Sequence, residues 1–257
     1  MNKNNDTIRI LWTGGWDSTY RIVELSRKKC TIQPIYVFGD NRNSEMYEIR
    51  AMKKILKLLV DKQETMATFL PIQFVDKETI PPNKEITLAY NKIHEETNLG
   101  SQHEWLARLA KVYPNLELGT ESAPLEFSNI LRSIKKFGKI KKYKYGYAMD
   151  PNYTSEEGML IFGNFIFPII KKNGQEMLSN IEKWGYKEIM ENVWICHTPI
   201  NGKPCGLCHP CELKIETGMS CLLSEKAVER YKNRNKTFNK IVYMIERKIS
   251  SLILKKI

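Results

Sequence analysis

Leu11-Trp12-Thr13-Gly14-Gly15-Trp16-Asp17-Ser18-Thr19-Tyr20 decides how the rest of the chain is read. Ile8, Ile10 and Trp12 alternate on the way in, the period of a strand, while Tyr20, Ile22, Val23 and Leu25 share one helical face on the way out. The spacing predicts strand, glycine turn, helix. Two glycines let the backbone approach a ligand closely. The first helical amides, with the Ser18 and Thr19 hydroxyls, would form an anion pocket at a positive helix end, which suits phosphate. A glycine pair before a helix also serves packing alone in many α/β proteins, and that reading stays open. A Walker A loop fits less well, because no Gly-Lys-Ser/Thr follows the glycines.

Downstream, Ile32 to Phe38 reads as a second strand, followed by the turn-rich Phe38-Gly39-Asp40-Asn41-Arg42-Asn43. Met46, Ile49, Met52, Ile55, Leu56 and Leu59 then repeat at helical spacing. The order βαβα implies an α/β fold with a parallel sheet, whose ligands bind off the carboxyl ends of the strands. Ala67 to Val75 suits a third strand, and Ile80-Pro81-Pro82 interrupts regular structure after it. Ser101 offers an N-cap before the amphipathic Trp105, Leu106, Leu109, Ala110 and Tyr113. Leu116 to Thr120 reads as a short strand ending in a small-residue turn. His94 and His103 read as polar surface without a catalytic role. Met159 to Ile170 is apolar enough for a buried strand, and helix returns at Met177, Leu178, Ile181 and Trp184.

The chain has 257 residues, long enough for a sizeable core, with 42% hydrophobic and 27% charged residues. No run approaches the roughly 18 apolar residues of a membrane span. Met1 to Thr7 is polar and lacks the apolar core of a signal peptide, so a cytoplasmic location is expected. The net charge is +11, and Arg132 to Lys144 carries seven Lys/Arg and no acid. Ser224 to the end carries ten against three. Such concentration fits nucleic acid or another polyanion, or plain solvated surface. Lysines interleaved with Tyr143, Tyr145 and Tyr147 either hold phosphates while the rings stack on bases, or form the outer face of an exposed strand. The tail places Val228, Tyr231, Phe238, Ile241, Val242, Ile245, Ile249 and Leu252 at mostly helical steps, an apolar stripe for the body, a second subunit or a membrane surface.

Four of the six cysteines, Cys196, Cys205, Cys208 and Cys211, fall in one short segment bent by Gly202, Pro204, Gly206 and Pro210. Four thiolates on a turning segment satisfy tetrahedral zinc without further ligands, and an iron–sulfur cluster also takes four cysteines. A closed site of this kind is structural. Cys30 and Cys221 stand apart. The division expected from these features is a nucleotide-binding α/β domain over 1–190 and a zinc knuckle with C-terminal helices over 191–257.

Thr-Gly-Gly-Trp-Asp-Ser-Thr closely resembles the Ser-Gly-Gly-x-Asp-Ser loop of the PP-loop ATP pyrophosphatases, with Thr13 keeping the hydroxyl. Together with Trp194-Ile195-Cys196-His197 and Pro204-Cys205-Gly206-Leu207-Cys208-His209-Pro210-Cys211, it resembles the 7-cyano-7-deazaguanine synthase (QueC) family. Phe38 to Arg42, with Glu45, Glu48 and Ala51, is similar to that family's Tyr-Gly-Gln-Arg loop and following helix. Phe167-Pro168 with Glu176 is similar to its Pro and Lys-x-Glu segment. Counting from Pro168, Gly174 stands at the family's Lys, with Lys171 and Lys172 nearby. Glu121 to Tyr153 replaces its Asp-Cys-Arg segment.

The resemblance implies a HUP-like (adenine nucleotide alpha hydrolase-like) fold, a homodimer, and ATP, Mg²⁺ and Zn²⁺ as cofactors. It implies that Thr13, Gly14, Gly15, Asp17, Ser18, Thr19 and Phe38 contact the nucleotide, and that Asp17, Ser18 and Arg42 take part in the chemistry. The implied substrates are 7-carboxy-7-deazaguanine and ammonia, with a nitrile as product. QueC-like relatives in antiviral, CBASS-type operons instead join a deazaguanine acid to a protein amine. A tRNA-modifying PP-loop enzyme and a non-catalytic nucleotide-binding regulatory subunit are the other readings of the same residues.

Overall fold

The computed structural model describes residues 7–40, 42–236, 242–246 and 248–249. Its elements run β1 (Thr7–Leu11), α1 (Trp16–Ser26), β2 (Thr31–Phe38), α2 (Glu45–Asp61), β3 (Thr68–Phe69), β4 (Gln73–Asp76), α3 (Lys84–Thr97), α4 (Gln102–Val112) and β5 (Leu116–Glu117). Then come α5 (Asn129–Phe137), β6 (Ile140–Tyr143), β7 (Gly146–Met149), α6 (Glu156–Phe162), β8 (Phe165–Ile166), α7 (Gly174–Trp184), α8 (Lys187–Met190), α9 (His209–Glu216) and α10 (Glu225–Lys232). The central sheet is ordered β3-β2-β1-β5-β8 with β4 also on β2, and each of these pairings is parallel. The protein is therefore α/β with a parallel sheet. No helix among the described residues is long and apolar enough to cross a membrane.

Packing divides the chain into two compact units. The described parts of Met1–Trp12, Asp17–Asp40 and Leu59–Asn173 form the first, which holds the sheet; those of Thr13–Trp16, Asn41–Leu58 and Gly174–Ile257 form the second. In the first unit Ile10, Trp12, Tyr20, Ile22, Val23, Ile32 and Ile35 are fully buried, which is why the opening alternation and the helical stripe were readable. On one side of the core, α3 contributes Ile86, Ala89, Tyr90 and Ile93, and α4 contributes Trp105, Leu106, Leu109 and Ala110.

Four expectations change. The third strand is two short pieces, β3 and β4, because Pro71 between them has no N–H for the ladder; the Gln33 side-chain amide bridges the break by donating to the Pro71 carbonyl at 2.7 Å. The apolar run from Met159 is mostly the end of α6, capped by Ser155, whose hydroxyl accepts from the Gly158 amide at 3.1 Å, and only Phe165–Ile166 is strand. Period alone does not separate a buried helix from a buried strand. His94 is exposed as expected, but His103 is buried in the first turn of α4. Ser101 precedes α4 without making a side-chain cap bond. The lysine–tyrosine segment forms the antiparallel β6–β7 hairpin, with Lys141 and Lys142 exposed. In the tail Ile245 and Ile249 are exposed, and Phe238, Ile241 and Leu252 lie outside the described residues.

Candidate functional site

The two glycines after β1 have different reasons to be glycine. Gly14 takes φ +69, and a Cβ there would lie 3.1 Å from the Glu48 carbonyl oxygen and 3.2 Å from the side chains of Ala51 and Met52. Both the left-handed conformation and close packing on α2 require it. A Cβ at Gly15 would make only ordinary contacts, 3.4 Å from Thr13 Oγ1 and 3.7 Å from the Trp194 carbonyl. The bare backbone at Gly15 is thus not explained by packing. Beside it, Trp16 is 2% exposed, and its indole N–H has no hydrogen-bond partner among the described residues.

Asp17, Ser18 and Thr19 form the first turn of α1, whose amides lack intrahelical partners. The Thr19 hydroxyl accepts from Trp12 Nε1 at 2.9 Å, so it holds strand to helix. Ser18 is nearly buried, with no bond from its hydroxyl to a described residue. Past β5, a Cβ at Gly119 would lie 3.0 Å from both the Ser18 amide nitrogen and Cα. The small-residue turn at the carboxyl end of β5 therefore abuts the start of α1. Phe38 ends β2 half-buried; next to it Gly39 takes φ +86, and Asp40 accepts from Lys77 Nζ at 2.5 Å.

Arg42 is anchored. Its Nη2 donates to Glu48 at 3.2 Å, and the other Glu48 oxygen accepts from the Ser44 hydroxyl at 2.7 Å. Glu48 is 4% exposed, a buried carboxylate that fixes the guanidinium. From the sequence Glu48 belongs to the helix after the loop, with no role as the partner of Arg42.

The cysteine cluster forms as expected. The four sulfurs lie within 4.8 Å of one another, with Cys208 Sγ 3.9 Å from Cys196 Sγ and 3.5 Å from Cys211 Sγ. Tetrahedral zinc with bonds of about 2.3 Å sets sulfurs ~3.8 Å apart, so the donor set fits zinc. Left-handed Asn201 and Gly202 turn the first loop, and Gly206 sits so close to the Ala227 carbonyl that no side chain fits. Cys205 Sγ accepts from the Leu207 amide and Cys196 Sγ from the Cys205 amide, both at 3.2 Å, bonds that favour thiolate. Its contact with Cys196 draws Cys205 well below the ordinary thiol range and holds Cys196 up. Cys208, also bonded to Cys196, is lowered to about 7. The cluster can hold a metal ion such as zinc.

The segment entering the cluster also carries the glycine turn. The Trp194 amide donates to the Gly14 carbonyl at 2.8 Å, its indole N–H to the Cys196 carbonyl at 2.7 Å, and its ring stacks on Tyr47 with centroids 4.4 Å apart. One residue thus links the turn, α2 and the first cysteine within one unit. His197 lies within electrostatic reach of Glu48 and Arg42.

A second buried network, in the sheet-bearing unit, had no expectation attached. Arg21 grips Glu117 with a two-pronged fork at 2.8 and 2.6 Å and reaches Glu24 at 2.6 Å. Lys172 completes it, donating to Glu24 at 2.8 Å and to the Tyr20 hydroxyl at 3.1 Å. Burial opposes the charge on Glu24, but Lys172 and Arg21 outweigh it and hold its carboxyl below the ordinary range. Lys172 is thereby engaged in the fold.

No protein-family model and no curated protein sequence matches this chain.

Proposed function

We propose that the chain is a PP-loop ATP pyrophosphatase of the 7-cyano-7-deazaguanine synthase kind, with a HUP-like fold, that activates the carboxylate of 7-carboxy-7-deazaguanine. The observation that carries this reading is the bond from the Trp194 amide to the Gly14 carbonyl. It ties the two motifs on which the resemblance rests, the glycine turn and the four-cysteine segment, into one compact unit. Packing accounts for Gly14 and leaves Gly15 bare, as a loop receiving phosphate requires.

In this reading a carboxylate oxygen attacks the α-phosphorus of ATP, the bond to the bridging β-oxygen breaks, and pyrophosphate departs. Charge accumulates on the leaving group, and the Gly15 backbone, the opening amides of α1 and the Ser18 hydroxyl take it up. Asp17 orients the loop or its Mg²⁺, which neutralises phosphate charge. Arg42, preset by Glu48, contacts phosphate or the substrate carboxylate. Ammonia then attacks the acyl carbon and AMP leaves, giving the amide. Activation of the amide oxygen by a second ATP, with loss of AMP and a proton, gives the nitrile. The cysteine site, closed by four ligands, is structural.

The test is release of AMP and pyrophosphate by zinc-loaded protein given ATP and 7-carboxy-7-deazaguanine, with and without ammonia, products read by mass. Asp17→Ala and Ser18→Ala should each lower AMP release at least about a hundredfold; normal release from both sinks the assignment. A second reading, conjugation of the acid to a protein amine, draws on the segment 121–153, which forms α5 and the β6–β7 hairpin in place of the family's substrate segment. Adenylate without amide or nitrile under saturating ammonia favours it.

A further inference from the structure

A cavity of about 880 Å³ opens in the sheet-bearing unit at the amino ends of the strands, the edge opposite the start of α1. Thr7 begins β1, Cys30 precedes β2 and Asn115 precedes β5, while Tyr143 to Tyr145, the turn of the hairpin, closes one side. Its size falls in the range of ligand sites, roughly 300–1,000 Å³.

Four cations line it: Arg9, Lys28, Lys29 and Lys144. No carboxylate among the described residues pairs with Arg9, Lys28 or Lys29, and all three are exposed. The one acid in the lining, Glu117, is already neutralised by the Arg21 fork. The cavity is therefore positive.

The aromatic residues decide what kind of anion fits. Tyr145, at the hairpin tip, is 70% exposed, more than any other large hydrophobic side chain among the described residues. The adjacent Tyr143 has the Lys144 ammonium 5.9 Å from its ring centre. A surface built only to attract acidic peptides gains nothing from rings left in water, whereas bases stack on them while lysines hold the phosphates. A duplex keeps its bases stacked inside and does not enter a concave pocket of this size; a single strand splays bases out.

We propose that this cavity binds single-stranded nucleic acid, with Arg9, Lys28 and Lys29 on phosphates and Tyr145 stacked on a base. The site is independent of the reading of the glycine turn.

The test is fluorescence anisotropy of a labelled 12-nucleotide oligo-U with the full-length, zinc-loaded protein, across a salt series. Arg9→Ala/Lys28→Ala/Lys29→Ala should weaken binding and flatten the slope of log affinity against log salt by about 2, since each phosphate contact on a single strand contributes about 0.7. Tyr145→Ala should weaken binding at least about fivefold and leave the slope unchanged. The altered side chains are exposed, so both variants should keep the wild-type melting temperature. Wild-type affinity and slope in the triple variant overturn the proposal. So does competition by UMP, by a 12-base-pair duplex or by an acidic peptide as effective as that of the unlabelled 12-mer.

Discussion

Arg21, Glu117, Glu24 and Lys172 gather two positive and two negative charges in the sheet-bearing unit, and each charge faces an opposite one from the chain itself. Around Cys205, four sulfurs lie within 4.8 Å of one another and meet backbone amides, the Thr198 hydroxyl and each other. The ion network is complete without a guest, because its desolvation is offset by bonds already in place. Four sulfurs at tetrahedral spacing cannot all ionise until a cation joins them: Cys205 is drawn toward the thiolate while Cys196 is held up. Buried charge that balances marks structure; buried charge that does not marks a ligand.

The largest effect should come from removing that ligand. Structural zinc contributes about 10–16 kcal/mol of apparent binding energy in small zinc domains, and here a metal held by the four cysteines would also stand behind Trp194 and so behind the Gly14 turn. The purified protein should carry one zinc per chain. Chelation should abolish amide protection over 194–211 and raise exchange at Gly15 and Trp16. Full protection in protein shown to be metal-free would break the comparison, for the cluster would then be as self-sufficient as the ion network.

The ion network makes the opposite prediction. Arg21→Met leaves Glu117 buried and uncompensated and should cost about 3–5 kcal/mol in urea unfolding. Arg21→Met with Glu117→Leu removes both charges and should recover most of that loss, an outcome unavailable to any pair of cysteines. Equal losses in the single and double variants would mean that the network acts through shape and not charge.

His103 shows a third arrangement, a titratable group that avoids charge. Burial lowers it to about 4, with its Nδ1 3.0 Å from the Gly100 carbonyl. The unfolded chain takes up the proton near pH 6.5, while the folded chain resists it to about 4. Acid therefore favours unfolding across that window, at about 1.4 kcal/mol per pH unit and roughly 3 kcal/mol in all. Glu24 adds a further loss below 4.5, where its depressed carboxyl finally protonates and the unfolded state already has. His103→Gln should flatten the stability curve between pH 6.5 and 4 and leave the loss at lower pH; an unchanged curve would place the titration elsewhere.

Legibility in the sequence obeys the same physics. The glycine turn and the cysteine cluster are written in adjacent residues, so spacing alone brought them together. Arg21 and Glu117 are 96 positions apart, and one arginine among 40 Lys and Arg gives no signal of which carboxylate it will meet. The missed split of the third strand and the helix within the apolar run from Met159 turned on single residues, Pro71 and Ser155, that outweighed the run around them.

Helix α3 was legible and was not read. Asn83 follows Pro81-Pro82, and Ile86, Ala89, Tyr90, Ile93 and Thr97 bury one face behind it. The Asn83 side chain accepts from the Ile86 amide at 3.0 Å, satisfying an orphan donor of the first turn with a neutral bond. Asn83→Ala should therefore cost only about 1 kcal/mol, and Asn83→Ser or Asn83→Asp should restore nearly all of it. The ranking against Arg21→Met is the informative measurement. Both variants delete one side of a bond supplied by the chain, but loss of Asn83 leaves a neutral amide at a helix end, while loss of Arg21 leaves a buried charge on Glu117. A cap loss as large as the arginine loss would show that cooperative unfolding of α3, and not the burial of charge, sets the scale of both.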